Sequence, residues 1–173
     1  MYKVSYMDTY SFLETTAEIS IAFTGFISIF FVLARQTGSF HPLTALSIRI
    51  ILTAGISCPF LAALPLVLSG TPLNETTVWR ISSGAVLALG VFINLYLFRH
   101  RQVFLRADKT SVGIAFTLNL ASLILPTLNV IGVPFEPNSA AHLASIWSIL
   151  GIGSINFVGL VLFVLNQPDR SSD

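Results

Sequence analysis

Charged residues are scarce in this chain, and their scarcity indicates its class. Only 10% of the 173 residues are charged, whereas 54% are hydrophobic. Soluble domains carry about 25% charged residues, so this composition argues against a water-soluble fold. The formal net charge of +1 is too small to attract a nucleic acid, and we expect no nucleic-acid partner.

Cysteine and the common catalytic motifs are also nearly absent. The single cysteine, Cys58, excludes an intramolecular disulfide, and its apolar neighbours predict a small buried thiol. The sequence contains no HExxH, CxxC, GxSxG, P-loop or GxGxxG motif. His41 and His100 fall at one predicted end of the molecule and His142 at the other, so paired haem ligands are not expected. We therefore predict that the protein is not an enzyme and that it binds no cofactor or metal.

What the chain does have is long apolar segments, each close to the roughly 20 residues that cross a hydrocarbon core. Glycine and proline separate these segments. We predict an all-α integral membrane protein, a single transmembrane domain over residues 1–173 that forms a bundle of five transmembrane helices. Their predicted bounds are about 13–34, 43–69, 78–98, 111–131 and 140–165.

The positions of Lys and Arg near the helix ends predict the orientation of the bundle. With the N-terminus outside and the C-terminus in the cytoplasm, only Lys3 and Arg80 lie on the outer side. The first helix lacks the flanking features of a cleavable signal peptide, so we expect it to be retained. The remaining basic residues fall on the cytoplasmic side: Arg35, Arg49, Arg99, Arg101, Arg106, Lys109 and Arg170.

The first helix has two different faces. In an ideal α-helix Glu14, Glu18 and Gly25 lie close together on one side. Lipid tails solvate large apolar side chains, so small and polar residues mark the place where another helix approaches. We therefore expect the side with the two glutamates to face a neighbouring helix. The opposite side, expected to face lipid, comprises Ile19, Phe23, Phe26, Ile27 and Phe30.

Two residues at the same predicted end could act as partners for Glu14 and Glu18. Arg80 begins the third helix and would form an ion pair that ties the first helix to the third. His142 begins the fifth helix, and a Glu–His pair would titrate near neutrality and serve as an entry site for protons or cations. The alternative is that both glutamates are simply solvated in the membrane interface.

Further polar residues fall in the cytoplasmic half of the predicted bundle. Arg49 enters the second helix, where a permanently charged arginine must snorkel or find acceptors. The side-chain carbonyls of Asn94, Asn119 and Asn156 are acceptors at a similar depth. We predict a network that joins Arg49 to some of these amides. The alternative is that these residues only hold helices together, at about 0.6 kcal/mol for each inter-helix hydrogen bond.

Two prolines, Pro59 and Pro65, interrupt the second helix and are expected to kink it. A proline has no N–H, so the carbonyl four residues earlier loses its helical donor. In a membrane that carbonyl needs a donor from a neighbouring helix or from water.

The stretch RHRQVFLRADK, between the third and fourth helices, is the most basic part of the chain. It favours the orientation given above, and it is also suited to binding anionic lipid headgroups. The residues expected to contact membrane lipids are Arg99, Arg101, Arg106 and Lys109.

The run AEISIAFTGFISIFFVLAR and the following FHPLTALSIRI resemble the first half of a family of small, uncharacterised multi-pass membrane proteins that many bacteria encode. A looser likeness is found at VWRISSG. The resemblance implies a bacterial cytoplasmic (inner) membrane. It implies no activity and transfers no functional residue.

Two functions are compatible with these features. The first is that of a non-enzymatic accessory or assembly subunit, which binds other membrane proteins or its own copies through the small-residue faces of its helices. The alternative is a homo-oligomeric ion or proton channel, or a small transporter. Its path would be lined by Glu18 and by the asparagine and serine side chains of the helices. A channel needs a continuous wet path, whereas apolar residues separate the two glutamates from the asparagines at the other end of the predicted bundle. We therefore rank the accessory role first.

Overall fold

The structure is a computed structural model that describes residues 6–35, 42–99 and 109–165. Every regular element in these ranges is a helix, as predicted. The helices are α1 (Tyr6–Arg35), α2 (Pro42–Ser69), α3 (Glu75–Arg99), α4 (Lys109–Ile131) and α5 (Ser139–Leu165).

Four helices contain stretches that are long and apolar enough to cross a membrane, so the chain has the character of a membrane-embedded protein. In α4 the apolar part is the shorter Asn119–Ile131, and a fifth crossing therefore remains a prediction. The four spans are Thr9–Val32, Ser47–Ser69, Glu75–Tyr96 and Ser139–Leu162.

Residues in the loops 70–74 and 132–138 explain where α3 and α5 begin and where α4 ends. Asn74 caps α3, since its side-chain oxygen accepts a hydrogen bond of 2.8 Å from the Thr77 backbone N–H. Asn138 caps α5 in the same way, through Ala141 at 3.0 Å. Gly132 ends α4 with a φ of 80°, a left-handed conformation that a glycine adopts without steric cost.

Among the described helices, α5 packs against all four others, and α2 packs against α1, α3 and α5. The main core lies among these helices and includes Leu61, Trp79 and Ile149. Cys58 is fully buried in it, as predicted from its apolar neighbours. A second cluster of buried residues surrounds Ile51, closer to the end of the bundle where α2 begins.

The predicted orientation of α1 about its own axis is wrong. Leu13, Thr16 and Ser20 are fully buried, whereas Glu14 and Glu18 are exposed. The reason is that α1 carries a second small polar stripe, and the hydroxyl groups of that stripe are satisfied within the helix. Thr16 donates to the Phe12 carbonyl at 2.7 Å, and Ser20 donates to the Thr16 carbonyl at 2.7 Å. A stripe of small side chains whose donors are already paired allows α2 to approach closely.

The face of α1 that was expected to contact lipid is divided in the structure. Ile27 is fully buried, while Ile19 and Phe26 are exposed. Phe23 and Phe30 are half-buried, and both rings lie edge-on to Phe157 of α5.

For description, the end of the bundle where α2 begins and α3 ends is called the basic end. The opposite end, which holds the two described loops, is called the acidic end. Arg49, Arg99 and Lys109 lie toward the first, and Glu75 and Glu136 toward the second.

Candidate functional site

A buried chain of polar side chains begins at the carbonyl that Pro65 frees. Pro65 cannot donate to the Leu61 carbonyl, which lies four residues earlier in α2. Nε2 of His142 lies 3.2 Å from that oxygen. A carbonyl oxygen only accepts, so Nε2 carries the hydrogen. The expectation that a neighbouring helix supplies a donor is therefore confirmed at Pro65.

The other ring nitrogen of His142 continues the chain into α3. Nδ1 lies 3.4 Å from the Ser83 hydroxyl oxygen, a long hydrogen bond in which the nitrogen accepts and the hydroxyl donates. Ser83 in turn accepts a hydrogen bond of 2.7 Å from the side-chain amide of Asn129 in α4. All three side chains are fully buried.

Asn129 connects this chain to the cap of α5. Its amide also donates to the Asn138 carbonyl at 3.0 Å, and its side-chain oxygen accepts from the Asn138 backbone N–H at 2.8 Å. The hydrogen bonds thus run from α2 through α5 and α3 to α4. Because every donor in this chain points to an acceptor, the arrangement fixes the packing of four helices rather than offering a vacant site.

From the sequence, His142 is a candidate partner of the α1 glutamates, whereas helical spacing places Ser83 on the same side of α3 as Asn94 and Asn129 on the same side of α4 as Asn119. Nothing in that spacing brings the three side chains together. The signal that could have found the chain was the Leu61 carbonyl, because the sequence predicts that it needs a donor.

The partners predicted for Glu14 and Glu18, which are Arg80 and His142, interact with other groups in the structure. Both nitrogens of His142 are hydrogen-bonded inside the bundle. Arg80 is exposed, and its Nη2 lies 3.2 Å from the position that a Cβ on Gly132 would occupy. The reason is helix order, since α1 packs mainly on α2 while Arg80 lies on α3. Over the described ranges neither glutamate forms an ion pair with Arg80 or His142.

The predicted hydrogen bonds from Arg49 to Asn94, Asn119 or Asn156 are not formed within the described ranges. Asn94 and Asn119 form a reciprocal amide pair between α3 and α4, with hydrogen bonds of 3.0 Å and 2.7 Å. Arg49 instead donates to the Tyr96 hydroxyl at 3.2 Å. Asn156 donates to the Ile152 carbonyl of its own helix at 2.8 Å. Arg49 lies on α2, whereas the amide pair lies between α3 and α4. The guanidinium therefore reaches Tyr96 of α3 instead of the amides.

The amide pair lies beside a close contact of α3 and α4. A Cβ on Gly90 would lie 3.2 Å from the Ser122 carbonyl oxygen, which Pro126 deprives of its helical donor. Asn94 also donates to the Gly90 carbonyl at 2.8 Å. The absence of a side chain at Gly90 therefore brings the two helices near enough for the amides to meet.

We expect the change Asn94→Leu to lower the free energy of unfolding in bicelles by about 1–2 kcal/mol, because it leaves the amide of Asn119 without its partner. The double change Asn94→Leu, Asn119→Leu removes both polar groups and should cost less than the single change. Reversible unfolding followed by circular dichroism measures both values. A double variant that loses as much as the two single variants together would contradict the pairing.

Two of the four residues expected to contact lipid headgroups lie within the described ranges. Arg99 is exposed at the end of α3, and Lys109 begins α4. Arg101 and Arg106 lie outside the described residues. Lipid contact at these four positions remains a prediction.

Comparison with known proteins adds no relative. No family model matches the chain, and neither a curated protein nor a solved structure matches it. The resemblance to bacterial multi-pass proteins therefore stays a prediction, and the function is argued from the residues themselves.

Proposed function

We propose that this membrane protein is a non-enzymatic accessory or assembly subunit that binds a helix of another membrane protein through one face of α1. This face, called the outer face of α1, consists of Glu14, Glu18, Ala22, Gly25 and Ile29. All five residues are exposed. The observation that carries the proposal is the exposure of Glu14 and Glu18 within the apolar span Thr9–Val32.

The depth of the two carboxyl groups makes their exposure significant. They lie about 8 Å and 14 Å from the start of the span, at about 1.5 Å per residue. A charged group costs on the order of 3 kcal/mol at the centre of a membrane helix and less toward its ends. A helix that supplies hydrogen-bond donors to Glu18 would remove much of this cost.

The rest of the outer face suits a close helix contact. Ala22 and Gly25 follow Glu18 on the same side of the helix, and a Cβ on Gly25 would meet no atom within 4 Å. Small residues at this spacing let a neighbouring backbone approach and strengthen packing in lipid.

Charge favours a different protein over a second copy as the occupant of this face. A two-fold symmetric contact between parallel α1 helices would set Glu18 against Glu18. Like charges close together in a medium of low dielectric constant repel strongly. We therefore propose a partner helix that carries a Lys or Arg, or an amide or hydroxyl donor, at the depth of Glu18.

The alternative of a channel has less support. A permeation path needs polar groups that remain available to water or ions along its length. Ser83 is hydrogen-bonded to both His142 and Asn129, and Asn94 is hydrogen-bonded to Asn119. These polar groups hold helices together and leave no continuous polar line in the described part of the bundle.

The orientation and the membrane form part of the same proposal. The basic end would face the cytoplasm, with the N-terminus outside and the C-terminus inside, because Lys and Arg are retained on the cytoplasmic side. The membrane would be the bacterial cytoplasmic membrane.

Site-specific photo-crosslinking in the membranes of the cell that naturally makes the protein tests the accessory role. We expect a probe at Ala22 to give one discrete crosslinked species that contains a second membrane protein. A probe at Phe60, which is 73% exposed on α2, is the matched control and should give none. The change Glu18→Lys should reduce the crosslink at least tenfold, because it opposes the partner's donor, while Glu18→Gln should largely retain it.

Three results would overturn the proposal: no crosslink at Ala22, a crosslink only to a second copy, or a crosslink unaffected by Glu18→Lys. A symmetric oligomer in nanodiscs whose ion flux in liposomes falls with Glu18→Gln would establish the channel instead.

A further inference from the structure

A groove of about 320 Å³ lies between α2 and α3 near the basic end. It is separate from the outer face of α1. Its deepest side chains are Ile50 and Ile93, which are 3% and 6% exposed. Phe92 forms part of its wall and is 61% exposed, so the groove opens toward the surface of the bundle. Its size falls at the lower end of the roughly 300–1,000 Å³ that is typical of small-molecule sites.

The position of the groove indicates which kind of molecule can enter it. Its residues lie within the apolar spans Ser47–Ser69 and Glu75–Tyr96. We therefore expect its open side to face the hydrocarbon region of the membrane rather than water. An acyl chain is the abundant apolar group at that place. Ile50, Ile93 and Phe92 offer it an apolar surface on more than one side.

One end of the groove carries a cation close to the ends of both apolar spans. Arg49 lies near the start of the α2 span, and Tyr96 is the last residue of the α3 span. Arg49 is exposed and donates to the Tyr96 hydroxyl at 3.2 Å. A guanidinium has five N–H donors in a fork that matches phosphate oxygens. Within the described ranges it gives one hydrogen bond, to Tyr96, which holds the fork at the mouth of the groove.

We propose that the groove binds one anionic phospholipid of the surrounding leaflet. Arg49 binds the phosphate, and one acyl chain lies between α2 and α3 against Ile93 and Phe92. Arg99 is exposed toward the same end of the bundle and supplies a second positive charge there. Each cation near the surface adds to the attraction of anionic lipid, which favours an anionic headgroup over a zwitterionic one.

Native mass spectrometry of the full chain tests the proposal. The protein is released from nanodiscs that contain equal amounts of phosphatidylglycerol and phosphatidylcholine. We expect one phosphatidylglycerol to remain bound per chain, and Arg49→Gln to reduce the bound fraction at least tenfold. Arg80→Gln, which removes an exposed arginine at the acidic end, is the matched control and should leave it unchanged.

A second variant tests the apolar part of the site without touching the cation. Thr53 lines the groove, and Thr53→Phe should fill it and displace the acyl chain, again with at least a tenfold loss of bound lipid. Circular dichroism of each variant shows whether it retains its helices.

Four outcomes would overturn the proposal. They are equal retention of the two lipids, retention that is unaffected by Arg49→Gln, retention that is unaffected by Thr53→Phe, and displacement of the lipid by millimolar inorganic phosphate. The last would show that the site recognises a free anion instead of a phospholipid.

Discussion

The change His142→Leu is expected to lower the free energy of unfolding in bicelles by about 2–4 kcal/mol. It removes the donor to the Leu61 carbonyl and the acceptor for the Ser83 hydroxyl, and each buried polar group left without a partner costs about 1–3 kcal/mol. Leucine fills much of the space of the ring, so the loss reflects hydrogen bonding more than a cavity. Reversible unfolding followed by circular dichroism gives the value.

The cause can be isolated by restoring the donor that Pro65 lacks. The change Pro65→Ala supplies an N–H to the Leu61 carbonyl, so His142→Leu should cost about 1 kcal/mol less in that background. Pro59→Ala is the matched control, because Pro59 frees the carbonyl of Gly55 instead, and its effect should simply add to that of His142→Leu. Additive costs in both backgrounds would show that the histidine does not serve the Leu61 carbonyl.

The change Gly55→Ala is expected to destabilise the bundle by about 1–3 kcal/mol, the usual cost of overpacking. A Cβ at this position of α2 would collide with the side-chain oxygen of Thr24 in α1. Thr24 has little freedom to move away, because its hydroxyl donates to the Ser20 carbonyl at 2.7 Å. Thermal unfolding in bicelles, compared with the unchanged chain, measures the loss.

Gly159→Ala provides the control for helix propensity. A Cβ there would meet no atom within 4 Å, so this change should be neutral or should stabilise by up to about 1 kcal/mol. Adding Thr24→Ala to Gly55→Ala removes the colliding oxygen and should restore part of the loss. Equal effects of the two glycine changes would contradict the close approach of α1 and α2 at Gly55.

The helix bounds illustrate how far sequence reasoning extends. The predicted segment 43–69 corresponds to Pro42–Ser69, and 140–165 corresponds to Ser139–Leu165. These ends depend on local features such as a proline in the first turn, a capping asparagine or a glycine, which act within a few residues. The first helix begins at Tyr6 instead of residue 13, because hydropathy detects the membrane-crossing part of a helix and not its polar extension.

The interactions between helices were harder to predict. Small and polar residues occur on two sides of α1, and a helical wheel does not show which side faces α2. The structure buries Thr16 and Ser20 and exposes Glu14 and Glu18. The choice depends on which side can approach a neighbouring backbone most closely with its polar groups already satisfied.

The sequence by itself determined the helical, membrane-embedded class of this protein, the bounds of α2 and α5 to within one residue, and the need for a donor near Pro65. Those properties follow from composition, hydropathy and the chemistry of single residues. Only the tertiary structure decided that His142 supplies that donor, that Asn94 meets Asn119 and that Arg49 meets Tyr96. Such pairings depend on the order, rotation and depth of the helices relative to one another, which no local pattern in a single chain encodes.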